Sequence, residues 1–150
     1  MNIRLLYIAI GTFAAVVCQP LYAGEQNSVC PKHIKARSDA EVLQAHVAAF
    51  EAGNAELIAC DYAKDAVLVL PGAVAQGPAS IQSAFAGFFA LAGANIEVAN
   101  HSLTLADGVA LFEYSVNSDH VEITDGVDSF VIKNGLIVAH TARLGGLSVK

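Results

Sequence analysis

After Gly93 the chain changes rhythm, and that change limits its architecture more than any other feature. Four runs, "NIEVANHSLTL", "VALFEYSVN", "VEITDGVDSFVI" and "LIVAHTARL", follow one another with only "ADG", "SDH" and "KNG" between them. Runs rich in β-branched residues and divided by short Gly, Asp and Asn turns predict consecutive hairpins, and so an antiparallel meander. A meander of this kind has one apolar face, and that face needs a cover.

The first half supplies helices for it. "SDAE" at Ser38–Glu41 is a capping box, in which the Ser38 hydroxyl and the Glu41 carboxylate satisfy free N–H groups at a helix start. Val42, His46, Ala49 and Phe50 recur at helical spacing until Gly53 stops the run. Asn54 caps a second helix, "AELIACDYA", which gives way to a strand "AVLVLPG" halted by Pro71 and Gly72. Gly77-Pro78 opens a third helix with Ile81, Ala84, Phe85, Phe88 and Phe89 on one face. The expected fold is α+β: a curved, mainly antiparallel sheet with mixed edges and three N-terminal helices on its concave face, a cone-shaped barrel with a blind apolar pocket.

With 150 residues, 55% of them hydrophobic, the chain can bury one sizeable core in one domain. Part of that apolarity lies in residues 1–23, where "MNIR" precedes "LLYIAIGTFAAVV" and a polar break ends in "LYA". The run is short for a membrane span and fits a secretory signal peptide cleaved after Ala23, with an uncleaved anchor as the alternative. Cys18 suggests a lipoprotein less well, because bulky Val17 stands where that signal takes a small residue. Residues 24–37 then form a tail, and residues 38–150 the domain. Without residues 1–23 the chain keeps 7 basic and 14 acidic side chains, a net charge of −7. An acidic chain with no Lys/Arg cluster and no Trp offers neither a phosphate track nor a stacking platform, so nucleic acid is not an expected partner.

Cys30 and Cys60 are the two cysteines left after cleavage. In an exported protein they can form one disulfide from the tail to the second helix; two unpaired thiols are the other reading. The histidines at 33, 46, 101, 120 and 140 show no metal-binding spacing, and no Gly-rich nucleotide loop or G-x-S-x-G occurs, so no metal or cofactor is expected.

"VLQAHVAAFEAGNAELIACDYAKDAVLVLPG" followed by "QGPASIQSAFAGFF", together with the closing "KNGLIVAH", resembles the nuclear transport factor 2-like superfamily, and most of all its SnoaL-like and ketosteroid isomerase-like branches. The resemblance spans about residues 38–146. It implies the fold, and it leaves function open, because this fold hosts isomerases, cyclases, dehydratases, epoxide hydrolases and non-catalytic modules. In the ketosteroid isomerase branch an Asp just before a Pro at the end of the first strand shuttles a proton, while a helix-one Tyr and a late-strand protonated Asp bind the enolate oxygen. Aligned on "LVLPG", the base position here is Leu70, which cannot take a proton. The tyrosine position falls on His46, and the late-strand acid is kept as Asp128.

Asp128 shares a strand face with Phe130 and Ile132, and Val127, Ser129, Val131 and Lys133 take the other. His140 shares a face with Ala142 and Leu144, and Arg143 points away to pair outside the pocket. His46, Asp128 and His140 are therefore the candidate catalytic groups, with a His–Asp pair as acid/base unit. Leu70, Phe85, Phe89, Phe130 and Ala142 are candidate pocket walls, and Tyr62 a candidate pocket hydroxyl. Either Glu113 or Tyr114 faces inward. Asp61, Lys64 and Asp65 read as a solvated turn. Two functions fit: an exported enzyme acting on a small apolar or carbonyl-containing molecule, or a non-catalytic module that holds a ligand or a partner. In either case a homodimer through the sheet is expected.

Overall fold

The computed structural model describes residues 30–32 and 34–150, so the expected signal peptide lies outside the described residues. A short 3-10 turn, Ile34–Ala36, leads into α1 (Asp39–Glu51), α2 (Ala55–Cys60), β1 (Tyr62–Leu70), β2 (Ala73–Gln76) and α3 (Gly77–Ala92). The meander follows as β3 (Glu97–Ala106), β4 (Val109–Asn117), β5 (Val121–Lys133) and β6 (Leu136–Gly145), and β7 (Ser148–Val149) ends the chain.

The expected caps form. Ser38 accepts from the Glu41 backbone N–H, while Glu41 Oε2 receives the Ser38 N–H at 2.7 Å. Asn54 Oδ1 accepts from the Leu57 N–H at 2.9 Å. Pro78 sits in the first turn of α3, where its missing N–H costs nothing.

The 7-stranded sheet runs in the order β2-β1-β6-β5-β4-β3, with β7 paired to β5. All pairs are antiparallel except β1 and β6, which run parallel. The α+β layout and the meander match the sequence expectation. The sheet curls without closing, since β2 and β3 end the path as separate edges, so the cone is not a complete barrel. The second helix is shorter than "AELIACDYA" suggests. Asp61 caps α2, and its carbonyl accepts the Ile137 N–H at 2.8 Å, which draws Tyr62 and Ala63 into β1 beside β6. A long-range pairing overrides local helix propensity there.

Val42, Ile58, Leu68, Ile81, Ala110, Val116, Val121 and Ile137 are sealed where the helices meet the concave face. Among the described residues no helix is long and apolar enough to cross a membrane.

Cys30 and Cys60 are joined in a disulfide, with Cα atoms 5.3 Å apart across 30 residues of sequence. Closing such a loop restricts the unfolded chain and contributes roughly 3 kcal/mol. Replacing both cysteines by Ser is expected to lower the unfolding free energy by about that amount in urea denaturation.

Candidate functional site

Register places the polar groups. Asp128 lies between Phe112 on β4 and Ala142 on β6, while His140 lies between Phe130 on β5 and Leu68 on β1. Asp128 and His140 are thus diagonal neighbours on the concave face of adjacent strands, close enough for long side chains to meet. Asp128 Oδ2 is 3.1 Å from His140 Nε2, a close contact that falls short of a well-aligned hydrogen bond. The Phe130 ring stacks on the imidazole with centroids 4.2 Å apart.

Two tyrosines complete the line. The Tyr114 hydroxyl donates to Asp128 Oδ1 at 3.0 Å, and the Tyr62 hydroxyl lies 2.6 Å from His140 Nδ1. Burial first, then the charges of Asp128 and Asp61, pushes the Tyr62 phenol well above its ordinary range. Burial and Asp128 do the same to Tyr114. Both hydroxyls therefore keep their protons. With Tyr62 donating to Nδ1, the neutral His140 ring carries its proton on Nε2, facing Asp128, and the tautomer is assigned by that network. The result is one continuous line: Tyr62, His140, Asp128, Tyr114.

Tyr114 was one of two residues the sequence left undecided; it faces inward, and Glu113 faces solvent. The signal for it was Gly126, which pairs with Tyr114 across β4 and β5. A Cβ at Gly126 would run into the Tyr114 ring, so the glycine in "TDGVDSF" makes room for the phenol that reaches Asp128.

These groups form the polar floor of an otherwise apolar cavity of about 90 Å³. Leu70, Phe85, Phe130 and Ala142 line it as expected, and Phe88 and Tyr114 join them. Phe89 does not line it: its ring packs behind the wall, 5.4 Å from Phe50 and 6.2 Å from Phe85. Tyr62 is not a wall residue either, because it is 4% exposed and stands behind His140.

His46 enters the cavity from α1, ringed by Tyr62, Phe85, Phe130 and His140 with centroids 5.5 to 5.7 Å away. Asp61 is a correction. The sequence places it in a solvated turn, whereas it is 3% exposed and paired to Arg37 at 2.6 Å. Lys64 and Asp65 are exposed as expected, but they lie within β1 and not in a turn. Arg143 pairs with Asp125 at the surface, 2.9 Å apart, away from the cavity. No cluster of three or more His, Cys, Asp or Glu suited to a metal occurs among the described residues.

Burial holds the His140 imidazole below its ordinary 6.5, against the hydrogen bonding and charge of Asp128, and His46 lowers it further. A histidine whose folded value is depressed binds its proton more readily when unfolded, so the stability it supports above the unfolded value is lost as pH falls. Unfolding free energy measured by urea titration is expected to decline as pH drops below about 6.5, and His140→Gln is expected to flatten that limb.

A profile for the SnoaL-like domain matches residues 43–140. No curated protein matches at a significant level. Among solved structures, a putative polyketide cyclase from Sinorhizobium meliloti is similar at 19% identity, covering 71% of this chain and 100% of that one, with a TM-score of 0.61. A Catenulispora acidiphila protein with a ketosteroid isomerase-like fold, in complex with trimethylamine, shares 15% identity over 71% of this chain and 86% of its own, at TM-score 0.61. An epoxide hydrolase/cyclase-like enzyme with a role in pyran ring formation in the polyether salinomycin shares 15% identity over 75% and 95%, at TM-score 0.63. At these identities the structural likeness speaks for the fold alone, while the profile spans most of the described chain: the protein belongs to the SnoaL-like domain family.

Proposed function

We propose that the cavity binds a small, mainly apolar molecule carrying an oxygen function and moves a proton on it. The observation that carries this reading is the convergence of His46, Asp128 and His140 from three separate elements on one apolar cavity. Apolar walls exclude water and strengthen the few polar contacts inside. His46 is the proton-transfer group. His140, braced by Tyr62 and held beside Asp128, is the anchor: its Nε2–H, which has no aligned partner among the described residues, is the donor for the molecule's oxygen. A volume near 90 Å³ suits a single small ring or a short chain. The polyketide cyclase and epoxide hydrolase/cyclase-like neighbours support a carbonyl or cyclic ether class of substrate.

Incubating the protein in D2O with a panel of small cyclic ketones and following deuterium entry beside the carbonyl tests this without knowledge of the natural substrate. Exchange is expected, with His46→Gln slowing it by roughly 10²- to 10⁴-fold while the fold is retained. Absence of exchange across the panel would favour the second reading, a non-catalytic binding module. One observation supports that alternative: Leu70 lines the cavity, and by the resemblance at "LVLPG" it stands where the ketosteroid isomerase branch carries its base.

The disulfide and the apolar start of the sequence support export to the periplasm or outside the cell. The outer sheet face supports a homodimer. Register aligns Val109 with Val131 and Ala139, and Leu111 with Ser129 and Thr141, on that face. Val109 and Leu111 are 51% and 44% exposed, and Val69 on β1 is 40% exposed beside Thr141. A second copy is the occupant that would bury this self-complementary strip. Light scattering is expected to give a dimer for the wild type and a monomer for Leu111→Arg, and a monomeric wild type would contradict the assignment.

A further inference from the structure

A second polar line reaches the cavity at His46, and it begins in the segment that the sequence presents as a tail. Arg37 Nη1 donates to Asp61 Oδ1 at 2.6 Å, Nη2 to the Gly135 carbonyl at 2.9 Å, and Nε to the Ile34 carbonyl at 3.1 Å. The turn that receives it fits closely, since a Cβ at Gly135 would collide with the Ile34 carbonyl. Asp61 directly follows Cys60, which the disulfide ties to Cys30. Arg37 thus fixes one oxygen of the Asp61 carboxylate and leaves the other aimed inward.

That second oxygen, Oδ2, faces His46 Nδ1 at 3.7 Å. Both atoms are sealed from solvent, and neither has a hydrogen-bond partner. A distance of 3.7 Å is too long for a hydrogen bond, and two opposed buried polar atoms left unpaired are costly. A shift of under about 1 Å satisfies both at once, and contacts of this kind commonly close when a ligand binds. With Nδ1 sealed against Asp61, Nε2 is the edge of the ring that His46 can present to a molecule in the cavity.

We infer that Asp61, held by Arg37, is the positioning residue for His46: it keeps the proton on Nδ1 and leaves the Nε2 lone pair to accept a proton from the bound molecule. The order is carboxylate, imidazole, substrate, in which the acid sets tautomer and orientation and meets the imidazolium charge that forms. The proton leaves the substrate for Nε2, its bonding pair stays on the substrate, and the Nδ1 proton remains between ring and carboxylate. This role rests on the proposed proton transfer at His46. It also has a signature that does not need turnover.

Imidazole ¹⁵N NMR of the purified protein, with the His46 signals identified by their absence in His46→Gln, reads the tautomer directly. Wild type is expected to show a protonated Nδ1 and an unprotonated Nε2. In Asp61→Asn, Arg37 still claims the amide oxygen, so the NH2 turns toward Nδ1, and the proton is expected to move to Nε2. Arg37→Met frees the carboxylate and is expected to give a mixture of tautomers. A wild-type His46 protonated on Nε2 would overturn the inference by itself, whether or not the variants fold, and so would an Asp61→Asn spectrum like that of wild type. Because the spectrum needs no substrate, its outcome is separate from that of the ketone exchange. Loss of exchange in His46→Gln with an unchanged tautomer in Asp61→Asn would sink the positioning role alone.

Discussion

Burial of an acid and an imidazole side by side in an apolar sheet is the constraint on which the rest of this structure turns. Asp128 is 8% exposed and His140 1% exposed, and neither can stay there without partners. Each partner imposes its own condition. Tyr114 reaches Asp128 because residue 126 is glycine, and Tyr62 reaches His140 because β1 runs parallel to β6 from its first residue. The early end of α2 follows from the same pairing. Local helix preference gives way where a tyrosine must be delivered behind the histidine.

The two polar lines have different chemical character. The Tyr62–His140–Asp128–Tyr114 line is drawn tight, with His140 Nε2 3.1 Å from Asp128 Oδ2, and burial holds protons on the phenols and away from the imidazolium form. The Arg37–Asp61–His46 line is open at one joint, where two sealed atoms face each other across 3.7 Å. The shorter contact suits a fixed anchor, and the wider joint suits a group that changes state. The two lines meet at the rings, where His46 packs edge-on against Tyr62 and His140 and Phe130 touches both histidines.

Much of the fold was legible because turns and caps are local. "ADG", "SDH" and "KNG" divided the strands within a residue or two of their observed ends, and "SDAE" located the start of α1. Period-two alternation put Asp128, Phe130 and Ile132 on one face of their strand, and that face is the buried one. What failed to show was long-range. Asp61 and Arg37 are 24 residues apart, and nothing near either one in sequence announces that an acid in "CDYAKD" will be buried against a tail arginine. Phe88 and Phe89 are equally apolar neighbours on α3, so periodicity could not say which one faces the cavity. Tyr62 was legible as an aromatic at a helix-to-strand junction, but its hydrogen bond depends on the parallel pairing of β1 with β6, 78 residues downstream.

A double-mutant cycle on Tyr62→Phe and Asp128→Asn tests most directly whether the floor acts as one unit. The two side chains flank the same imidazole, and independent sites would give additive losses in urea unfolding, within about 0.3–0.5 kcal/mol. A connected line predicts a coupling energy of about 0.5–3 kcal/mol, because each substitution disturbs the same imidazole. Coupling in that range supports the network as the organising feature of the site, and strict additivity would contradict it.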